Sequence, residues 1–450
     1  MVNPASRFAG YSTPMAAVNP SRDERRFVWL VLFGGLVLRL VWLAKVNGPI
    51  DGFYGTTEAT NLAIAIAQGR GIADPYFSGY GPTAHLLPIS AAIAALPIWL
   101  FGIGSASAIL LLGWSLLQTA AAYLLLHRLF QRLDSDARVT RWGLALLCLA
   151  PPFVPQEVLD FRFWEGAGAL CLGAVNLLLI LRYEEDGRFG WRRMLLAAAL
   201  SAFTFFYCPP VGLAVDTCWA WFALRRLPFA QWTRFAALAA AALALLLVPW
   251  AARNAQMLGE PVLVRSNFGL EFALANHPAA VSGTAQEHIF ANRLLEIHPY
   301  QKLGKGQQAL RAAGGEVAYF RMLGAQTLRW VADHLADFVR LSLRHLREFF
   351  FPRAWQMYFS GWEGMRDARA WTISLVNLFG LIGLAIGLYR RRRGYMLLAL
   401  YVATIALPYA LFQPMPRYIY LVYGVLAFLA VEALVSGFRY ISGKGPGWLR

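Results

Sequence analysis

The sequence predicts an all-α protein that crosses a bilayer many times. Of its 450 residues, 58% are hydrophobic and 15% are charged, and the mean hydropathy is +0.47. A soluble domain of this length would need more polar residues to cover its surface. The apolar residues also fall in runs of roughly 16 to 22, the length that a hydrocarbon core of about 30 Å demands of a helix.

Ten of these runs are predicted as transmembrane helices. They cover residues 27–45, 105–126, 139–156, 164–181, 193–208, 209–224, 233–250, 371–389, 395–412 and 418–437. The first run has no small-residue cleavage site, so it is predicted as a signal anchor that stays in the protein. The run 85–101 is also apolar, and its placement decides the side of every later loop.

The positions of the arginines decide whether residues 85–101 span the membrane. If residues 85–101 lie at the outer interface instead of spanning, four clusters fall on one side: Arg128/Arg132/Arg138/Arg141, Arg182/Arg188/Arg192/Arg193, Arg225/Arg226/Arg234 and Arg390 to Arg393. Cytoplasmic loops are enriched in Lys and Arg, so we expect ten spans with both termini inside. The net charge of +16 then belongs to membrane loops and does not indicate a nucleic-acid partner.

This topology divides the chain into four parts. They are a disordered cytoplasmic tail (1–26), an N-terminal transmembrane module (27–250) whose first outer loop (46–104) is a candidate for chemistry, a large extracytoplasmic loop with surface helices (251–370), and C-terminal transmembrane helices with a cytoplasmic tail (371–450). The four cysteines fall inside apolar runs, which indicates core residues and neither disulfides nor metal ligands.

The first outer loop contains a candidate general base. Thr56 or Thr57 can cap a helix whose first turn carries Glu58, and Gly69 can end it. Glu58 and Asn61 are three residues apart and share a face of that helix. A carboxylate held there suits proton removal from a hydroxyl group. The alternative is that Glu58 only complements the helix dipole.

The rest of that loop is rich in glycine and proline, which predicts a tight, shaped connection. Asp74 is predicted as a turn residue. His85 could bind substrate or help place a metal ion, or it could be a structural hydrogen-bond donor.

Two arginines are candidates for binding phosphate, because guanidinium forms paired hydrogen bonds with it. Arg253 and Asn254 follow the seventh predicted span and precede the polar segment around Asn267. An ordinary snorkelling arginine is the alternative for Arg253. Arg417, next to Tyr418, lies on the outer side against the usual charge bias, which favours a functional role.

Other charged residues are predicted to pair. Glu157, Asp160, Arg162 and Glu165 form a group at an outer span end, and mutual pairing is the simple explanation. Arg39 and Asp216 lie inside predicted spans and need partners that the sequence does not name. The sequence has no phosphate-binding P-loop, no dinucleotide glycine fingerprint and no Cys/His metal spacing, which makes a soluble nucleotide donor less favoured.

These segments together resemble a known family, the GT-C membrane glycosyltransferases. The relatives in question are the bacterial family 39-like enzymes, the protein O-mannosyltransferases and the lipid A aminoarabinose transferase. The similar segments, in chain order, are Glu58 with Ala63, Gly69 and Gly71; Gly81 to His85 with Pro88; Pro249-Trp250 with Arg253, Asn254, Gly259, Asn267, Gly269 and Asn276; Glu316, Tyr319 and Phe338 to Phe351; and Arg417-Tyr418.

The resemblance implies a GT-C fold with about ten transmembrane helices, juxtamembrane helices and two long extracytoplasmic loops. It implies an inverting transferase that uses a polyprenyl-phosphate sugar, with Glu58 as base and with Arg253 and Arg417 on the donor phosphate. Substrate contacts are expected from Asn61, His85, Asn254, Asn267 and Tyr418. Many relatives carry an Asp, often with a second acid, where this chain has Glu58, and Asp51 is a possible second acid.

The resemblance implies the acceptor, the metal requirement and the location only in general terms. The acceptor is a glycan, lipid or protein, a divalent cation is possible but no metal ligand is predicted, and the expected place is the outer face of a bacterial inner membrane. A transporter or flippase of lipid-linked sugars and a non-catalytic envelope scaffold are the alternatives.

Overall fold

The computed structural model describes residues 21–46, 57–302, 304–360 and 364–441. The first helices are α1 Arg22–Val46, α2 Glu58–Ala67, α3 Pro88–Phe101, α4 Ser105–Arg132, α5 Ala137–Leu149, α6 Val154–Val158, α7 Gly166–Asp186, α8 Trp191–Tyr207 and α9 Pro209–Arg226. They are followed by α10 Phe229–Leu258, α11 Phe268–Ala275, α12 Gln286–Ile297, α13 Gly306–Ala312, α14 Glu316–Asp333, α15 Leu335–Phe350, α16 Arg366–Tyr389, α17 Tyr395–Ala406 and α18 Pro416–Ile441. Over these residues the chain forms no strand, which confirms the all-α prediction.

Six of the described helices are long and apolar enough to cross a membrane: α1, α4, α7, α10, α16 and α18. Helix α5 and the segment Val154–Arg162 add a seventh if the pair, bent by 76°, is one span. Helices α8 and α17 have 17 and 12 residues and do not meet the same test. The multi-pass prediction is confirmed, and the count of ten spans is not.

The span predicted at 139–156 is broken in the structure. Helix α5 ends at Leu149, and α6 begins at Val154 after Pro151 and Pro152. Proline lacks the N–H that an α-helix needs and clashes with the preceding turn, so the two prolines end the first helix. The break turns Glu157 into the protein interior.

Glu157 is the partner that Arg39 needed inside the membrane. Arg39 Nε donates to Glu157 Oε2 at 2.8 Å, and both side chains are almost fully buried, with exposed fractions of 4% and 0%. Asp216 in α9 accepts a hydrogen bond from the Ser201 hydroxyl of α8. The predicted mutual pairing of Glu157 with its charged neighbours is therefore wrong, because Glu157 pairs with a residue 118 positions earlier.

The predicted first-loop helix is confirmed as α2. Thr57 is its N-cap and accepts a hydrogen bond from the backbone N–H of Thr60 at 3.1 Å. Glu58 is its first residue, and the chain leaves the helix through Gly69, whose φ of 75° is in the left-handed region. This cap fixes where the Glu58 side chain starts.

Helices α16 and α18 pack closely against each other. A Cβ atom on Gly380 or Gly383 would lie 2.5 Å from the Leu426 carbonyl oxygen or 2.2 Å from the Leu429 carbonyl oxygen, so only glycine fits there. Close approach of small residues is a main source of helix association in lipid. Arg417 lies in the first turn of α18.

Candidate functional site

A cavity of about 180 Å³ opens where α2, α11, α12 and the start of α18 meet. We call it the Glu58 cavity. Its charged and ionisable lining residues are Glu58, His85, Arg265, Glu271, His298 and Arg417. Other lining residues are Trp164, Asn267, Tyr300, Gln413 and Tyr418. Two carboxylates and two guanidinium groups thus share one small space.

Glu58 faces a histidine across this cavity. Its Oε1 lies 3.6 Å from His298 Nε2, and both side chains are largely buried, with exposed fractions of 16% and 7%. The backbone N–H of Tyr300 donates to His298 Nδ1 at 3.2 Å. Because Nδ1 accepts that hydrogen bond, the ring proton is on Nε2, directed at Glu58. His298 Nε2 therefore faces the Glu58 carboxylate, at a distance slightly longer than a hydrogen bond.

Glu271, in α11, is the second carboxylate of the cavity. Burial raises its pKa above the ordinary value, and the nearby Glu58 adds to this rise, whereas His298, Arg417 and Arg265 oppose it. The amide of Asn267 donates to Glu271 Oε1 at 3.4 Å. Two acids in different surroundings can hold a proton in different states, which is how paired carboxylates divide acid and base roles.

Arg417 carries a positive charge that the described residues do not neutralise with an ion pair. Its guanidinium carbon lies 4.3 Å from the centre of the Trp164 ring and 4.9 Å from that of Tyr418, and Nη2 donates to the Tyr418 hydroxyl at 3.1 Å. Its buried Nε has no hydrogen-bond partner among these residues. The aromatic rings hold the cation, and its remaining donors are free for an anion.

Arg265 is a cavity residue that our sequence-based selection missed. Its Nη2 atom pairs with Glu165, and its buried Nε has no partner in the described part of the chain. The sequence signal was present, because Arg265 stands two residues before Asn267. The decisive partner is 100 positions away, which spacing along the chain does not reveal.

Arg253 and Asn254 lie outside the Glu58 cavity, in contrast to their predicted roles. Arg253 donates to the backbone carbonyl groups of Thr83 and Ile72, each at 2.7 Å, and to Asn254 Oδ1 at 2.9 Å. The fully buried Asn254 donates to the Val262 carbonyl at 2.7 Å. The physical reason is that α10 runs past residue 250 to Leu258 and so brings both side chains against the first loop.

Glu316 holds the same loop from the other side. It accepts hydrogen bonds from Thr83 Oγ1 at 2.7 Å and from the backbone N–H of Ala84 at 2.6 Å, and it is 2% exposed. We call Arg253, Asn254 and Glu316 the loop clasp. The clasp fixes the segment that leads into His85 and therefore the wall of the cavity.

The remaining predicted residues fall into three groups. His85, Asn267 and Tyr418 line the cavity. Asn61 does not, because its amide donates to the Pro75 carbonyl at 3.0 Å, and Asp51 lies outside the described residues. Asp74 is a turn residue as predicted, with a φ of 60° and with its Oδ1 accepting from the Gly81 N–H at 2.8 Å.

His85 is a neutral member of the cavity wall. Burial lowers its pKa well below the ordinary value, and the nearby His298, Arg265 and Arg417 lower it further. Its Nδ1 is 3.0 Å from the Tyr76 hydroxyl. A neutral imidazole can position a polar substrate group without adding charge.

The divalent cation that the resemblance implies stays a prediction. Across residues 21–46, 57–302, 304–360 and 364–441, no group of three or more His, Cys, Asp or Glu side chains is arranged to hold a metal ion. Among these described residues, the donors around Glu58 do not form a preformed cation site.

The spanning helices and the helical segments between them define the class: this is a multi-pass, all-α membrane protein whose fold is similar to that of archaeal oligosaccharyltransferases. The apo oligosaccharyltransferase of Archaeoglobus fulgidus is similar over 93% of this chain and 51% of its own, with 16% identity and a TM-score of 0.55. The archaeal oligosaccharyltransferase AglB from the same organism, in complex with an inhibitory peptide and a dolichol-phosphate, is similar over 94% and 52%, with 16% identity and a TM-score of 0.51.

A third similar structure is apo ArnT from Cupriavidus metallidurans, with 16% identity over 92% of this chain and 79% of that chain and a TM-score of 0.35. The chain spans about half the length of the oligosaccharyltransferases it matches. No protein-family model and no curated protein matches it. At this level of identity the likeness establishes the fold.

Proposed function

We propose that this protein is a membrane glycosyltransferase that moves a sugar from a polyprenyl-phosphate donor to a hydroxyl group of a glycan, lipid or protein. The reaction would take place at the extracytoplasmic face of a bacterial inner membrane. The observation that carries the proposal is that Glu58 and Arg417 open onto one cavity. The AglB structure with dolichol-phosphate, which has the same fold, supports a lipid-phosphate ligand.

Glu58 is the proposed general base. It removes the proton of the acceptor hydroxyl while that oxygen forms a bond to the anomeric carbon of the sugar. The bond from this carbon to the phosphate oxygen breaks, and its electron pair stays on the phosphate. Attack on the face opposite the leaving group inverts the anomeric configuration. His298 Nε2, 3.6 Å from Glu58 Oε1, faces the carboxylate during this step.

Arg417 and Arg265 are the proposed cations for the departing phosphate. A leaving phosphate gains negative charge as the bond breaks, so cations fixed beside it stabilise the transition state more than the bound donor. Arg417 is held by Trp164 and Tyr418, and Arg265 is held by Glu165, so neither needs to reorganise during the reaction. We do not propose Arg253 for this role, because its donors are taken by backbone carbonyl groups.

The cavity also bears on the alternatives. A non-catalytic scaffold predicts outer loops that collapse and leave no space beside Glu58, whereas the structure has the Glu58 cavity there. A transporter of lipid-linked sugars would use the arginines for phosphate but would not need a base. The transferase and the transporter therefore differ in what Glu58 does.

The test is transfer by purified protein in liposomes that contain a radiolabelled polyprenyl-phosphate sugar and a crude acceptor fraction. We expect Glu58→Gln to lower the rate by about 10²-fold to 10⁴-fold, the usual contribution of a general base. Glu260→Gln is the matched control, since the Glu260 side chain is 42% exposed, pairs with Arg321 and does not line the cavity. Full transfer by Glu58→Gln with a normal fold would overturn the base assignment, and movement of intact donor across the bilayer without transfer would favour the transporter.

A further inference from the structure

A second polar cavity lies at the opposite ends of the spanning helices. It forms where α9 and α16 end and α17 begins, and its volume is about 440 Å³. Its charged lining residues are Arg225, Arg226, Arg391, Arg392, Arg393 and Glu184. We call it the arginine cleft. Nothing in the proposed reaction uses it.

The arginine cleft and the Glu58 cavity lie toward opposite ends of α18. Helix α18 carries Arg417 in its first turn, and Glu432 on the same helix pairs with Arg392 of the cleft. Fifteen residues of helix separate the two, which is about 22 Å at 1.5 Å per residue. Helix α16 ends at Tyr389, beside the cleft. Because α16 and α18 are both long and apolar enough to cross a membrane, we expect the two cavities to face different leaflets.

The cleft has more positive charge than its acids neutralise. Arg226 pairs with Glu184 at 3.3 Å, Arg393 pairs with Glu185 at 2.8 Å, and Arg392 pairs with Glu432.

Arg225 and Arg391 carry the excess positive charge of the cleft. Both are exposed, and neither makes an ion pair with any residue that the structure describes. The Arg225 guanidinium lies 5.1 Å from the centre of the Trp221 ring. Arg391 has a φ of 53°, a backbone conformation that is costly for a residue with a side chain. Two cations are thus presented to the cleft without an ion-pair partner among the described residues.

The cleft also has apolar lining residues. Trp221, Leu388, Met396 and Leu397 line it, and the exposed Met396 extends it at the beginning of α17. A soluble anion gains nothing from such a wall. A phospholipid needs both parts, because its phosphate binds cations and its glycerol and first methylene groups are covered by apolar side chains.

We propose that the arginine cleft binds the headgroup of an anionic membrane phospholipid from the leaflet opposite the Glu58 cavity. Arg225 and Arg391 contact its phosphate, while Arg226, Arg392 and Arg393 are held by acids and keep the cleft open. The positive end of the α17 helix dipole adds to the attraction. The bound lipid connects α9 to the α16–α17 turn, so it stabilises the fold.

The test is native mass spectrometry of delipidated protein in a neutral detergent, titrated with phosphatidylglycerol or with phosphatidylcholine. We expect tight binding of phosphatidylglycerol only, and about a tenfold loss of that binding in the double variant Arg225→Gln/Arg391→Gln. The matched control is Arg128→Gln/Arg138→Gln, which removes two exposed arginines of the same side that do not line the cleft. The control should bind like the wild type.

Three results would overturn the proposal. They are equal binding of phosphatidylglycerol by the double variant and the control, equal binding of the two lipids by the wild type, and displacement of the lipid by inorganic phosphate at the same concentration. The last result would assign the cleft to a soluble phosphate. Thermal unfolding with and without lipid gives a second readout, because only a cleft-bound lipid should raise the Tm of the control more than that of the double variant.

Discussion

The loop clasp and the Glu58 cavity use the same kinds of residue for different ends. In the clasp, Arg253 and Glu316 make their hydrogen bonds to the first loop, mostly to its backbone groups. In the cavity, Arg417 is held by aromatic rings, and its Nε has no partner among the described residues. The comparison teaches that a charged residue is a ligand candidate only where its polar atoms are not already taken by the protein.

Removing Arg417 from the Glu58 cavity should have a larger effect than breaking the clasp. We expect Arg417→Gln to lower kcat/KM for the polyprenyl-phosphate sugar by about 10²-fold to 10³-fold, because a fixed donor to the leaving phosphate is lost. The measurement is initial-rate transfer in liposomes. Arg340→Gln is the control, since Arg340 is 71% exposed and, among the described residues, pairs with a neighbour on its own helix, Asp337. Equal rates for the two variants would mean that Arg417 does not contact the donor.

Breaking the clasp should affect stability before chemistry. Glu316→Gln presents an amide NH₂ where a carboxylate accepts from Thr83 and from the Ala84 N–H. We expect a loss of about 1 to 3 kcal/mol in the free energy of unfolding, because buried donors lose an acceptor. Thermal unfolding in detergent measures it, with the exposed Glu287→Gln as control. An unchanged Tm would show that the clasp does not hold the loop.

The Glu271 carboxylate should make the stability of the protein depend on pH. Burial raises the pKa of Glu271 above its ordinary value of 4.5, so the folded protein holds this proton more tightly than the unfolded chain does. Stability is therefore lost as the pH rises from 4.5 through the raised pKa. We expect the Tm of Glu271→Gln to equal that of the wild type at acidic pH. At pH values above the raised pKa, the Tm of the variant should be higher than that of the wild type. Parallel curves of Tm against pH would contradict this.

Much of the fold was predictable because lipid imposes one simple rule. Backbone groups in hydrocarbon must be paired within a helix, so long apolar runs mark helices. Thr57, Glu58 and Gly69 were equally predictable, because caps and helix ends depend on neighbouring residues. The bend at Pro151 and Pro152 had a local signal too, which the predicted span 139–156 passed over.

The site was only partly predictable, because its contacts join distant segments. Glu58 and Arg417 were candidates on local grounds, and both line the cavity. Nothing local separated Arg253 from Arg265. Arg253 is turned to the first loop by the extra turns of α10, and Arg265 is held by Glu165, 100 positions away. Such pairings depend on how helices pack, which periodicity does not reveal.

The central claim is that the Glu58 cavity, and not the loop clasp, holds the phosphate of the lipid donor. The most direct measurement is equilibrium titration of the wild type, Arg417→Gln and Arg253→Gln with a sugar-free polyprenyl phosphate, with the folded fraction of each protein measured in parallel. The account predicts that Arg417→Gln weakens binding at least about tenfold, as loss of a charge-assisted hydrogen bond should. It also predicts that folded Arg253→Gln binds like the wild type. Weaker binding by folded Arg253→Gln, with Arg417→Gln unchanged, would contradict it.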